Sequence, residues 1–274
     1  MISFLKNIFN QQEAVDLQHV EKLLLFIGTG RTGSTLLGQI LNYHPECLIA
    51  TESRFVQKII NNECDLSQGL NFIARDALSQ FESGLENDKK FSKTLHKWQE
   101  KWIPMKDLNK KEEFIKQKIK VIGDKKAGGT TQFLLNHPAD FKSKIEDIQN
   151  MHFLHLIRHP IHTTLSHMKA HDIKDFKQAA LEIISSTMAA YQLGQRYENY
   201  LLLEYEDLLF KTEEFFKPLE TFLGIKFDAE WVNSIKSVLN TSPLKETSEY
   251  SAPMTEVIEE LNAKEIYKNY LPFT

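Results

Sequence analysis

The chain has 274 residues, 42% of them hydrophobic, enough for one sizeable core, and its formal net charge of −4 argues against a nucleic-acid binder that works through bulk charge. Only two cysteines occur, Cys47 and Cys64, so a disulfide framework is not expected and a reducing compartment is. No run approaches the roughly 20 apolar residues of a membrane span. "MISFLKNIF" is too short for a signal core and lacks a small-residue cleavage site, so a soluble, cytoplasmic protein is expected.

Residues 1–20 read as an N-terminal extension in which Ile2, Leu5, Ile8 and Phe9 share one face of a short docking helix. One domain is expected over 21–274. "KLLLFIGTG" (22–30) is continuously apolar before its glycines, the pattern of a central parallel strand covered on both faces. "STLLGQILNYHP" predicts a helix, and "CLIATES" (47–53) a second strand ending in Thr51, Glu52 and Ser53. Residues 55–118, rich in Lys, Glu, Asn and Gln, predict surface helices, a helical insertion that would form a lid and acceptor wall. Within it, Trp98 and Trp102 read as a packing pair, and the Lys-rich run 106–120 as a solvated helix face.

Three more strand–helix units follow. "IKVIGDKKAGGTTQFLLNHP" holds a strand, a Lys-Gly turn and a helix. "MHFLHLIRHP" is an apolar strand ending at Arg158, stopped by Pro160, with a helix from "IHTTLSHMKAHD". "YLLLEYEDLL" predicts another strand before the helix of "KTEEFFKPLETFLGI". No repeat, low-complexity segment or linker breaks the chain. Strands alternating with helices predict an α/β fold, a P-loop-like doubly wound parallel sheet flanked by helices.

In such folds ligands bind beyond the carboxyl ends of the strands. Gly28-x-x-x-x-Gly33 followed by Ser34-Thr35 is a Walker A spacing without its lysine: Ser34 stands in the lysine's place and Arg31 lies inside the loop. The turn aims backbone N–H groups inward, the next helix adds partial positive charge, and Arg31, Ser34 and Thr35 add a cation and hydroxyls. A nucleoside-triphosphate enzyme would also need an acidic strand end to hold Mg²⁺. The apolar strand most like that element ends in Arg158, which repels Mg²⁺ and attracts a second phosphate. Two anion sites without a metal site suit a nucleoside bearing a phosphate at each end better than ATP. Six histidines crowd residues 152–171, and His167 and His171 are four apart on a predicted helix, but no third metal ligand is evident.

These motifs resemble the sulfotransferase family, which uses 3′-phosphoadenosine 5′-phosphosulfate (PAPS), over about residues 22–230. "FIGTGRTGSTLLGQILNYHP" is similar to the family's 5′-phosphosulfate loop in its arginine form, with T-G-S-T where S-G-T-T is usual. The resemblance implies that Gly30, Arg31, Thr32, Gly33, Ser34 and Thr35 hold the 5′-phosphosulfate. "LIRHPIHTTLS" is similar to the 3′-phosphate motif, giving that role to Arg158 and Ser166, and "EYEDLL" with "FLGI" implies a nucleotide contact at Tyr205. "HPECLIATESRFV" resembles the tyrosylprotein branch, which implies Glu52 as general base. "GDKKAGG" resembles the Asp/Asn-Lys turn, with Lys125 as the catalytic lysine and Lys126 the alternative. With Arg31, Lys125 would stabilise the departing phosphate oxygen without a metal.

The resemblance thus implies transfer of a sulfuryl group from PAPS to an acceptor hydroxyl, on a small molecule or glycan in preference to a peptide tyrosine. The competing reading is a P-loop phosphotransferase with a displaced lysine.

Overall fold

The computed structural model describes residues 19–86, 118–146, 150–239 and 247–273. Among them, five strands form one sheet: β1 Lys22–Ile27, β2 Cys47–Thr51, β3 Val121–Lys125, β4 Met151–Ile157 and β5 Tyr200–Glu204. Their order is β2-β3-β1-β4-β5, and every neighbouring pair is parallel. The helices are α1 Ser34–Tyr43, α2 Phe55–Ile60, α3 Leu66–Glu86, α4 Ala127–Asn136, α5 Pro138–Phe141, α6 Pro160–His171, α7 Phe176–Gly194, α8 Tyr205–Phe210, α9 Thr212–Leu223, α10 Ala229–Val238 and α11 Ser251–Glu260. The doubly wound α/β fold is therefore present. None of the described helices is long and apolar enough to cross a membrane.

Alternation along β1 explains why its sequence is uninterruptedly apolar. Leu24 and Phe26 face a cluster with Leu37, Ile40 and Leu41 of α1 and Phe215, Phe216 and Trp231 of α9 and α10. Leu23, Leu25 and Ile27 face the opposite cluster with residues of α2 and α3. With helices on both faces there is no place for a polar residue until the strand ends.

Helices α2 and α3 depart from the surface helices expected over 55–118. Phe55, Val56, Ile59, Ile60, Leu70, Ile73, Ala74 and Ala77 are buried in the second cluster. Their 3–4 spacing makes an apolar stripe that the abundant polar residues between them obscure. Polar bonds seal the contact: Asn42 Nδ2 donates to Ala77 O at 2.9 Å, and Gln80 both accepts from Thr51 N at 2.8 Å and donates to Thr51 O at 3.0 Å. The expected docking helix near residue 5, the Trp98–Trp102 pair and most of the Lys-rich run lie outside the described residues.

Candidate active site

The sheet order puts β1 between β3 and β4, so the loop after Ile27 opens where the chain switches direction across the sheet. Gly28 has φ 130°, and a Cβ there would lie 2.8 Å from His155 Cδ2 of the neighbouring strand. Thr131 of α4 clamps the same residue, its Oγ1 accepting from Gly28 N at 2.8 Å. Gly33 has φ 88° and caps α1 without any side-chain acceptor, leaving the first-turn N–H groups to face the loop. A Cβ at Gly33 would lie 2.3 Å from the Tyr205 ring. Thr32 and Ser34 are buried, and Thr32 is turned back toward Thr29 O.

On one side of this loop stand two arginines. Arg31, itself at φ 70°, donates from Nε to Ser166 Oγ of α6 at 3.1 Å. Arg158, at the end of β4, donates from Nη1 to Arg31 O at 3.4 Å and lies 4.9 Å from the Tyr205 ring centroid. Arg158 Nε is buried with no partner. Burial, then the Arg158 charge, work against the protonated form of Arg31, so an anion between the two would relieve the repulsion. Ser166 thus meets Arg31 directly, where the motif alone paired it with Arg158.

On the other side stand two lysines and a glutamate. Lys125, at the end of β3 and 5% exposed, donates from Nζ to Thr35 Oγ1 and to Glu52 Oε1, both at 2.7 Å. Lys126 Nζ reaches Glu52 Oε2 at 2.5 Å. Both candidate lysines therefore hold the same carboxylate, but only Lys125 also contacts the loop helix. Burial pushes the Glu52 carboxyl up, and the two lysines outweigh it, holding the carboxyl below its ordinary range.

Glu52 and Arg54 both lie in the left-handed region, at φ 66° and 60°. What pins this turn was not assigned from the sequence: the fully buried Asp124 accepts from Ser53 N at 3.0 Å and Phe55 N at 3.1 Å. Asp124 is a carboxylate at a strand end beside the loop, yet both its oxygens are engaged by backbone. Its only sequence signal was its place before Lys125; Thr131 had none beyond membership of "GGTT".

The histidines are dispersed in role. His155 is fully buried in the core; one ring nitrogen meets Tyr200 Oη at 2.9 Å, while Nε2 is unpartnered, so its hydrogen-bonding capacity is only half satisfied. His167 meets Glu182 at 3.1 Å, and no group of three His, Cys, Asp or Glu side chains among the described residues could hold a metal ion.

A phosphate-sized loop without its lysine thus lies between cations at the ends of the two strands that flank β1. The sequence profile of the Sulfotransferase family matches residues 24–229. The chain belongs to the sulfotransferase family. It is accordingly a PAPS-dependent sulfotransferase enzyme. No match was found among curated proteins. Among solved structures, the sulfotransferase domain from the Synechococcus PCC 7002 olefin synthase is similar with a TM-score of 0.50 at 17% identity, over 92% of this chain and 98% of that one. The sulfotransferase domain from the curacin biosynthetic pathway has a TM-score of 0.49 at 14% identity, over 89% and 98%. The former likeness shows that the sulfotransferase fold is shared.

Proposed function

We propose that this sulfotransferase moves a sulfuryl group from PAPS to an acceptor hydroxyl with Glu52 as general base and Lys125 and Arg31 at the leaving group. One observation carries the reading: Lys125 links Thr35 of the phosphate loop to Glu52 in a single hydrogen-bonded chain. The donor set suits a bisphosphorylated nucleotide. Gly30, Gly33, Ser34 and Thr35, with Arg31 and Thr32, would hold the 5′ end. Arg158, with its unpartnered Nε, and Ser166 would hold the 3′-phosphate, with Tyr205 beneath the arginine.

Bound PAPS supplies an electrophilic sulfuryl group whose departure leaves charge on the 5′-phosphate oxygen. Glu52, kept ionised by its lysines, takes the acceptor hydroxyl's proton, worth roughly 10²–10⁴ in rate. Lys125 is buried and already beside the loop, so its charge is undamped by water; a well-placed donor of this kind contributes roughly 3–4 kcal/mol. Drawing Lys125 toward the loop would free Glu52 Oε1 and raise its basicity at the moment it is needed. The net reaction is R–OH plus PAPS giving R–OSO₃⁻, adenosine 3′,5′-bisphosphate and a proton. The engagement of both Asp124 oxygens by backbone amides disfavours the Mg²⁺-dependent phosphotransferase reading; no metal is required in this scheme.

Glu52→Gln keeps the volume but cannot take the proton. Turnover of labelled PAPS, measured in EDTA against a panel of small alcohols, glycans, phenols and tyrosine peptides, should fall by about 10²–10⁴, with glycan or small-molecule hydroxyls the better acceptors. Calorimetric affinity for adenosine 3′,5′-bisphosphate should stay within a few-fold. Lost affinity with retained turnover at saturation would make Glu52 a binding residue instead.

A further inference from the structure

The C-terminal residues were assigned no task by the sequence, and they end beside Arg158. Tyr267 is buried in the cluster that also contains Ile157 and Ile161, which fastens the segment next to the end of β4. One turn further on, Tyr270 Oη donates to Glu206 Oε2 at 2.7 Å, and Asn269 Nδ2 donates to Glu204 Oε1 at 2.5 Å. The rings of Tyr270 and Phe273 each lie 5.4 Å from the His159 ring.

Glu206 in turn faces the turn that carries Arg158. Its two carboxylate oxygens lie 3.2 and 3.3 Å from His159 N. His159 is the N-cap of α6 and has no side-chain cap bond of its own, and Pro160 follows with no N–H to offer. An acceptor brought in from α8 is therefore what the start of α6 uses, and a negative charge at a helix N-terminus is favourable in its own right. The preceding residue, Tyr205, lies against the Arg158 guanidinium. Consecutive residues of α8 thus hold consecutive residues of the β4–α6 turn.

A carboxylate held against the residue that follows an arginine carries a hazard: turned toward Arg158, Glu206 would compete with any phosphate there. The Tyr270 hydroxyl occupies one oxygen and the His159 amide shares both. We propose that Glu206 and Tyr270 are positioning residues of the nucleotide site, fixing the Arg158–His159 turn and keeping Glu206 off the Arg158 guanidinium. This rests on the reading of Arg158 as the 3′-phosphate ligand.

The test is calorimetric titration of adenosine 3′,5′-bisphosphate and adenosine 5′-phosphosulfate, which lacks the 3′-phosphate, into the wild type, Tyr270→Phe, Glu206→Gln, Arg158→Ala and the two double variants with Arg158→Ala. Each positioning variant should weaken the bisphosphate by about 2- to 10-fold, the scale of one lost hydrogen bond, and leave the phosphosulfate unchanged. On the Arg158→Ala background neither should weaken it further. Equal weakening of both nucleotides, full additivity with Arg158→Ala, or no effect from either variant would overturn the proposal while leaving Arg158 in its role. If Arg158→Ala itself fails to discriminate between the nucleotides, the 3′-phosphate reading falls and the positioning pair with it. Tyr270→Phe retains the ring and decides the matter should Glu206→Gln not fold.

Discussion

Glu52 and Arg54 sit in a backbone conformation that costs on the order of 1–3 kcal/mol for each non-glycine residue, and Asp124 is what holds them there. Its carboxyl is pushed up to about 6 by burial, against the pull of its bonds to the 53–55 turn. Asp124→Asn keeps the shape and replaces one acceptor oxygen by a donor that faces a backbone N–H. The expected result is a turnover at least about tenfold lower, with nucleotide affinity nearly unchanged, because misplacing a base affects the chemical step. Steady-state kinetics beside calorimetry read this directly, and unchanged turnover would deny Asp124 the role. The sequence marked Glu52 and Lys125 through their motifs, but Asp124 only as the residue before Lys125, since its partners are 71 and 69 residues away.

At the level of elements, the β1–α1 loop is shaped by what it leaves out. Gly33 is fixed both by φ 88° and by the Tyr205 ring, whereas Gly30 would meet nothing within 4 Å of an added Cβ. Gly33→Ala must either distort the loop or push Tyr205 from beneath Arg158. Thermal midpoints and bisphosphate titration should show both stability and affinity reduced, affinity by about tenfold or more, as when a charged hydrogen bond is lost. Gly30→Ala should leave the midpoint unchanged. A Gly33→Ala protein with wild-type midpoint and affinity would show that the loop tolerates what its geometry forbids. The spacing of the glycines was legible in the sequence, and so was Tyr205 as a nucleotide contact; that its ring, some 170 residues on, packs on Gly33 and makes that glycine obligatory was not.

For the molecule as a whole, buried titratable groups set the response to acid. Burial pushes His155 down to about 3, and His159 to about 4 with help from His162 and Arg158. A depressed histidine pKa means stability that is complete above the ordinary value near 6.5 and is lost as pH falls toward the folded value. Glu52, held low against its burial by Lys125 and Lys126, acts in the same sense below about 4.5. Asp124 acts oppositely: its raised pKa gives stability present below the ordinary 3.8 and lost as pH rises through about 6. His152, also pushed down by burial, acts with these histidines, and Asp76, also pushed up by burial, acts with Asp124. With three histidines and Glu52 against two aspartates, the thermal midpoint should fall from pH 7 to pH 4. His155→Phe should lower the midpoint at pH 7, by leaving Tyr200 without its partner, and flatten the slope. A midpoint that rises on acidification would reverse the assignment.

The sequence by itself determined the fold class and the family reading. Apolar runs without alternation require a sheet buried on both faces, and glycines, hydroxyls and cations at their ends require the ligand to be there. It also indicated most residues of the candidate site, because the phosphate loop, the Asp-Lys turn and the strand ending in arginine are each local patterns. Only the tertiary structure decided how these patterns meet. Arg31 reaches Ser166 across 135 positions, both lysines converge on Glu52 across 73 and 74, and Tyr270 reaches Glu206 across 64. Periodicity says which face of an element is apolar and where the element stops. Which elements lie beside one another follows from the sheet order and from the packing of three separate clusters, which depend on the whole chain at once.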